Sequence, residues 1–307
     1  MSKTVFLFSG QGSQYTGMGM ELAEAYPDVK VYERASEILG FDLIEKINGS
    51  EEELAKTVIA QPAIMATSLT AFEILKREGI KFSAAAGHSL GEYAAMVASG
   101  ILSFEDGFRV IKARAEAMQK ASEAAGGAMY AIIGKTAEEI EEVCAGIGGY
   151  VVPVNYNSSA QTVIAGETSA AEKAAAKFAE IGAKAVKLGV SSAFHSKLMQ
   201  PAADDFETAL RGMGITFNKP SVPFYSNLTG DVQTDFDDMP SKLAKHIVSP
   251  VKFTSELNAL AEAGYTDYAE LGPGKVLTGL VKKTLKGVNA VNVENKKTLE
   301  KALEILK

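Results

Sequence analysis

One short stretch constrains this chain more than any other: the apolar run Phe82 to Ala86, which passes into Gly87-His88-Ser89-Leu90-Gly91 and then into a helical pattern from Gly91 to Ala98. A strand that turns sharply into a helix is the repeating step of an α/β protein, in which helices cover both faces of a mainly parallel sheet. The same step occurs at the start, where Val5-Phe6-Leu7-Phe8 reads as a buried strand ended by Ser9-Gly10-Gln11-Gly12-Ser13-Gln14. Helical patterns are expected near residues 19–39, 62–78 and 104–124, and later near 197–212, 239–247, 252–264 and 275–285, with a strand at Val222–Ser226.

The texture changes at Gly126-Gly127. From there the expected order is strand (128–133), helix (136–145), strand (151–155), strand (161–165), helix (169–181) and strand (184–188). That is one β-α-β-β-α-β unit, the ferredoxin-like plan. The expected architecture is a large α/β core, residues 1–126 and 190–307, interrupted by a ferredoxin-like α+β subdomain at 127–189. At 307 residues there is ample length to bury a core without staples.

Gly-x-Ser-x-Gly between a strand and a helix is the setting of a nucleophile elbow. The tight turn needs glycines on either side of Ser89 so that backbones can pass closely. It presents the hydroxyl at the sheet edge, with the N-terminal amides of the next helix aimed at the same spot. A serine nucleophile needs a base, and the chain has three histidines. His88, adjacent on a tight turn, points elsewhere and suits a turn-stabilising role. His195 and His246 stand as equal candidates from spacing alone, and neither has an evident Asp partner. Gly10-Gln11-Gly12-Ser13-Gln14 lacks the third glycine of a dinucleotide loop, because Tyr15 stands there, and Gly272-Pro273-Gly274-Lys275 does not complete a phosphate loop. A loop at a strand's C-terminal end can nevertheless supply a second amide to an oxyanion.

The long helix carries two arginines with different surroundings. Arg109 has Glu105, Asp106, Lys112 and Ala113 at its i±3 and i±4 positions, a mostly solvated face. Arg114 has Val110, Ile111, Ala117 and Met118, so it projects from the buried stripe. A guanidinium there requires an anion, since an unpaired buried charge costs several kcal/mol. The partner is either a core carboxylate in a structural ion pair or a carboxylate that arrives with the substrate and is held bidentately.

Other classes are excluded by composition. A formal net charge of −7 argues against a nucleic-acid footprint. Cys144 is the only cysteine, and it lies far from the three histidines in sequence, so zinc-type ligand spacing and internal disulfides are absent. The N-terminal apolar run is too short for a signal-peptide core. No uncharged stretch is expected to be apolar enough to span a bilayer. The expectation is a cytoplasmic protein with no membrane or nucleic-acid partner, acting as a monomer.

Taken together, Gly10-Gln11-Gly12-Ser13-Gln14, Gln61-Pro62-Ala63, Gly87-His88-Ser89-Leu90-Gly91-Glu92, Arg114, Asn155-x-Asn157, Ala193-Phe194-His195 and Gly272-Pro273-Gly274 resemble, in order and over nearly the whole chain, the malonyl-CoA:acyl carrier protein transacylases. The resemblance implies an α/β-hydrolase-like core with the ferredoxin-like insert. It implies malonyl transfer from malonyl-CoA to the thiol of holo acyl carrier protein for fatty acid biosynthesis, through a malonyl-serine intermediate and without a permanently bound cofactor. By the same resemblance Ser89 is the nucleophile and His195 the base, and Arg114 binds the malonyl carboxylate. The backbone N–H groups of Gln11 and Leu90 form the oxyanion hole. The family orients its base with a main-chain carbonyl at the position of His246, where relatives often carry Gln. Phe194 is placed as a selectivity residue against methylmalonyl, and Gln161 among the substrate-binding residues. A serine esterase or thioesterase, a polyketide acyltransferase and a non-catalytic carrier-binding module are the competing readings.

Overall fold

The computed structural model describes residues 3–190 and 192–307. Its strands are β1 (Thr4–Phe8), β2 (Ala84–Gly87), β3 (Ala128–Ile133), β4 (Val151–Ser158), β5 (Gln161–Gly166), β6 (Lys184–Lys187), β7 (Tyr225–Ser226), β8 (Asp231–Val232), β9 (Asp267–Leu271) and β10 (Asn289–Val293). Strands β10-β9-β1-β2 form a four-stranded sheet in which every pair is parallel. Both faces are covered, as parallel sheets require. Phe6 and Phe8 point into one core cluster, while Val5 and Leu7 point into a second on the opposite face.

The second sheet has the order β4-β5-β3-β6, is antiparallel throughout, and carries the helices Ala137–Ala145 and Thr168–Glu180. It encloses its own small core around Ile132, Ile140, Ile164 and Phe178. Thr136 and Glu139 form a capping box that fixes the start of the first of these helices. The expected element order between 128 and 187 is therefore present in full. The sheet is stitched to the rest of the chain where Tyr156 N–H donates to Val251 O (2.9 Å) and Val251 N–H to Val154 O (2.8 Å).

Two expectations are corrected. First, β9 and β10 make up half of the parallel sheet, yet neither reads as a strand in the sequence, because Asp267 and Glu270, both buried, interrupt the apolar pattern of β9. Glu270 is tolerated there because Leu277 and Thr278 N–H groups donate to it at 3.1 and 2.7 Å at the start of the helix Val276–Thr284. Secondly, of the expected strand Val222–Ser226 only Tyr225–Ser226 forms one, as β7, and Phe224 makes a single bridge to Ala85. Pro223 has no N–H to contribute to a ladder. The helix Thr57–Arg77 is long and apolar enough to cross a membrane by length and composition alone. Its most apolar window is 89% buried inside the protein, and a helix apolar on all sides fits the centre of a core.

Candidate active site

Ser89 sits between the end of β2 and the helix Gly91–Ala98, with Leu90 as N-cap. Its φ is 54°, in the left-handed region, which is costly for any residue with a side chain. The glycines are dictated by contact: a Cβ on Gly91 would collide with Phe8 O, and one on Gly87 with the backbone of Gly91. Among the described residues only Ser89, His195 and Asp238 are non-glycines with positive φ, so two of the three strained positions face each other across this site.

Ser89 Oγ lies 2.7 Å from His195 Nε2. On the far side of the ring, His195 Nδ1 is 3.1 Å from both His246 O and Ser249 O. Carbonyl oxygens only accept, so Nδ1 carries the proton and Nε2 is left as the acceptor for the serine hydroxyl. Arg114 Nη2 donates to Ser89 Oγ at 3.1 Å. A guanidinium cannot accept, so the serine proton is directed at His195. His246 offers its carbonyl to His195, and its own ring, centred 5.1 Å from that of His195, places Nδ1 2.9 Å from Glu92 Oε2.

His195 is buried, and its pKa lies well below the ordinary histidine value; burial is the main cause, with His246 and Arg114 nearby acting in the same direction. A base must be neutral to accept a proton, and a lowered pKa keeps the ring neutral further into the acid range. The acid limb of kcat/KM for acylation should therefore fall below pH 6.5, the unperturbed value. A pH–rate profile with its acid limb at or above that value would contradict this.

Arg114 is fully buried on the helix Phe104–Ala125, and its Nε and Nη1 have no hydrogen-bond partner in the protein. No carboxylate pairs with it among the described residues, so the core ion pair considered from the sequence is not present. Its guanidinium lies 5.2 Å from the centre of the Tyr93 ring. Arg109, by contrast, pairs with Asp106 at 2.9 Å on the surface.

Gln11, Ser89, Phe194 and His195 line one small cavity. The side chain of Gln11 is pinned between Gln61, whose Nε2 donates to its Oε1 at 3.1 Å, and Thr57, which accepts from its Nε2 at 3.2 Å. This fixes the loop that carries the Gln11 main chain. Leu90 is fully buried, with its own N–H at the start of the helix behind Ser89. A larger cleft of about 390 Å³ adjoins the cavity between the parallel sheet and the antiparallel one. Gln161 lines this outer cleft, not the cavity at Ser89. His88 reaches across to the antiparallel sheet, with Nε2 2.8 Å from Asn157 Oδ1. The residue that sequence reasoning missed is Asn227, which accepts from the Ser89 N–H at 2.6 Å and reads in sequence as part of an ordinary Asn-Leu-Thr-Gly turn.

The arrangement is a serine hydroxyl against an imidazole nitrogen, beside an unsatisfied buried cation, at the bottom of a cleft. Residues 5–300 match the family model for the acyl transferase domain. The malonyl CoA-acyl carrier protein transacylase of Bacillus subtilis is 42% identical over 313 residues, covering 100% of this chain and 98% of that protein. The crystal structure of the malonyl CoA-acyl carrier protein transacylase from Clostridium perfringens superposes with a TM-score of 0.94 at 39% identity, covering 99% of this chain and 97% of that one. A malonyl-transacylase solved in complex with its type II polyketide acyl-carrier protein has a TM-score of 0.94 at 39% identity and covers 99% of this chain and 100% of that one.

Proposed function

The chain belongs to the acyl transferase domain family, and on that premise we propose that it transfers the malonyl group of malonyl-CoA to the thiol of holo acyl carrier protein, supplying fatty acid biosynthesis. The observation that carries the choice of acyl group is Arg114: a buried guanidinium with two unpartnered nitrogens, 3.1 Å from the serine hydroxyl, awaits a carboxylate on the acyl chain.

The reaction runs in two matched halves. His195 Nε2 takes the Ser89 proton as Oγ attacks the thioester carbonyl. The oxyanion is held by the N–H groups of Gln11 and Leu90. The C–S bond breaks, His195 returns the proton to the coenzyme A sulfur, and malonyl-Ser89 remains. The carrier's thiol then gives its proton to His195 and attacks the ester carbonyl, and Ser89 Oγ leaves with that proton. The carbonyls of His246 and Ser249 hold the imidazole and stabilise its cationic form, so no Asp is required. Phe194, on the cavity wall, restricts bulk at the malonyl α-carbon, and Gln161 meets the pantetheine arm in the outer cleft.

The sheet order β4-β5-β3-β6 supports reading 127–189 as a ferredoxin-like subdomain inserted in an α/β-hydrolase-like core of 1–126 and 190–307. The single cysteine and the acidic balance fit the cytoplasm, and no cofactor takes part in the cycle. Polyketide carriers are a second acceptor class, favoured by the relative solved with such a carrier.

Incubation with malonyl-CoA alone should yield an intact-mass adduct of one malonyl group that maps to Ser89 and persists until holo carrier is added. Release of free malonate at the rate of adduct formation would instead make the protein a thioesterase. An inert Ser89 would leave only a carrier-binding role.

A further inference from the structure

The left-handed backbone of Ser89 is strained, and it persists only where surrounding contacts over-determine it. Beside the main-chain bonds of the turn, one side chain holds it at two points. Asn227, fully buried just after β7, accepts from Ser89 N–H through Oδ1 (2.6 Å) and donates from Nδ2 to Gly87 O (2.7 Å). A single amide thus spans the turn and grips it on both sides of His88. Its Nδ2 also donates to Glu256 Oε1 (2.6 Å), its own N–H donates to Glu92 Oε1 (2.6 Å), and its carbonyl accepts from Lys252 N–H (3.0 Å). Gly87 O can only accept and Ser89 N–H can only donate, so the amide has one permitted orientation.

We propose that Asn227 is a positioning residue for acyl transfer: its amide sets the Ser89 backbone, and so holds Oγ within reach of His195 Nε2. The inference rests on Ser89 being the nucleophile and goes beyond that reading, because Asn227 touches no reacting atom.

The amide is required for its mixed hydrogen-bonding character. Aspartate at 227 would still accept from Ser89 N–H, but its second oxygen would face Gly87 O and the Glu256 carboxyl. Protonation restores one donor, so Asn227→Asp should regain function as pH falls. The titratable and charged groups around the position are Glu256 and Glu92, the His246 ring against Glu92, the His88 ring on the turn itself, and Lys252, whose N–H donates to Asn227 O. Glu256 is held well above the usual carboxylate range, first by burial and then by Glu92, so it adds little negative charge of its own.

The test is rapid-quench intact mass of full-length wild type, Asn227→Asp and Asn227→Ser with malonyl-CoA, alongside thermal melts at each pH. At pH about 8, Asn227→Asp should acylate on the order of 10²-fold more slowly at saturating malonyl-CoA, with the half-saturating concentration nearly unchanged. Its rate relative to wild type should climb about tenfold as pH is lowered to about 5.5, the donor being restored with the proton. Asn227→Ser, too short to span the turn, should be slow at every pH. A folded Asn227→Asp that acylates at the wild-type rate, or whose deficit is unchanged across pH, overturns the proposal. If Asn227→Asp does not fold, Asn227→Ser decides: slowed acylation at unchanged half-saturation supports the role, and wild-type rate removes it. Wild type that forms no adduct instead sinks the assignment of Ser89, a distinguishable failure.

Discussion

Ser89→Ala should lower malonyl transfer to the carrier by on the order of 10⁵–10⁶, His195→Ala by nearly as much, and the double variant by no more than either alone. The two groups act as one device. Ser89 Oγ is 2.7 Å from Nε2, and without the base the hydroxyl keeps its proton and attacks poorly. Without the hydroxyl the base has nothing to activate. Two other candidate nucleophiles among the described residues are not placed to replace it. Cys144 lies in the core of the antiparallel sheet, where burial pushes its thiol up to about 12, and the His88 ring is engaged by Asn157 at 2.8 Å. Mass-based measurement of carrier malonylation checks this. Losses that multiply in the double variant, or a malonyl adduct that survives Ser89→Ala, would refute the shared role.

Arg114→Ala should divide substrates by class. Malonyl transfer should fall by about 10⁴ or more, while acetyl transfer changes little, because a site built around a buried charge rejects a ligand that leaves the charge unpaired. The geometry gives the direction: Nη2 already touches Ser89 Oγ at 3.1 Å, and Nε and Nη1 are buried without partners. A malonyl carboxylate on one edge of the guanidinium would give the buried charge its counterion with the thioester carbon placed over Oγ. Arg114→Lys should recover only part of the loss, since an ammonium offers a point charge in place of a two-pronged donor. Competition between malonyl-CoA and acetyl-CoA measured on each variant decides the matter; equal losses on both would refute the carboxylate assignment.

Legibility followed the range of the interactions involved. Arg114 could be placed on a buried face because helical neighbours are three and four residues away, within sight of the sequence. The elbow could be placed because Gly87 and Gly91 are required by contacts made within one turn and with β1. The antiparallel unit was legible because each of its elements keeps one clean period. Strands β9 and β10 were not, since Asp267, Glu270 and Asn289 carry polar groups whose partners lie on other elements, Asn289 Nδ2 donating to Asp267 Oδ1 at 2.7 Å.

By itself, then, the sequence determined the local devices: a strained serine turn, an arginine on an apolar helix face, and an alternation of strands and helices that admits little besides a layered α/β fold. Where the spacing of the histidines left His195 and His246 equal, the tertiary structure puts the His195 ring 2.7 Å from Ser89 Oγ and brings two main-chain carbonyls from 246–249 to its other nitrogen across more than fifty residues. It alone revealed Asn227, 138 residues from the serine whose backbone it holds. The physical reason is the same in both cases. Propensity, period and turn chemistry act between near neighbours along the chain, whereas the partner of a buried hydrogen-bonding group is chosen by packing, which takes no account of sequence distance.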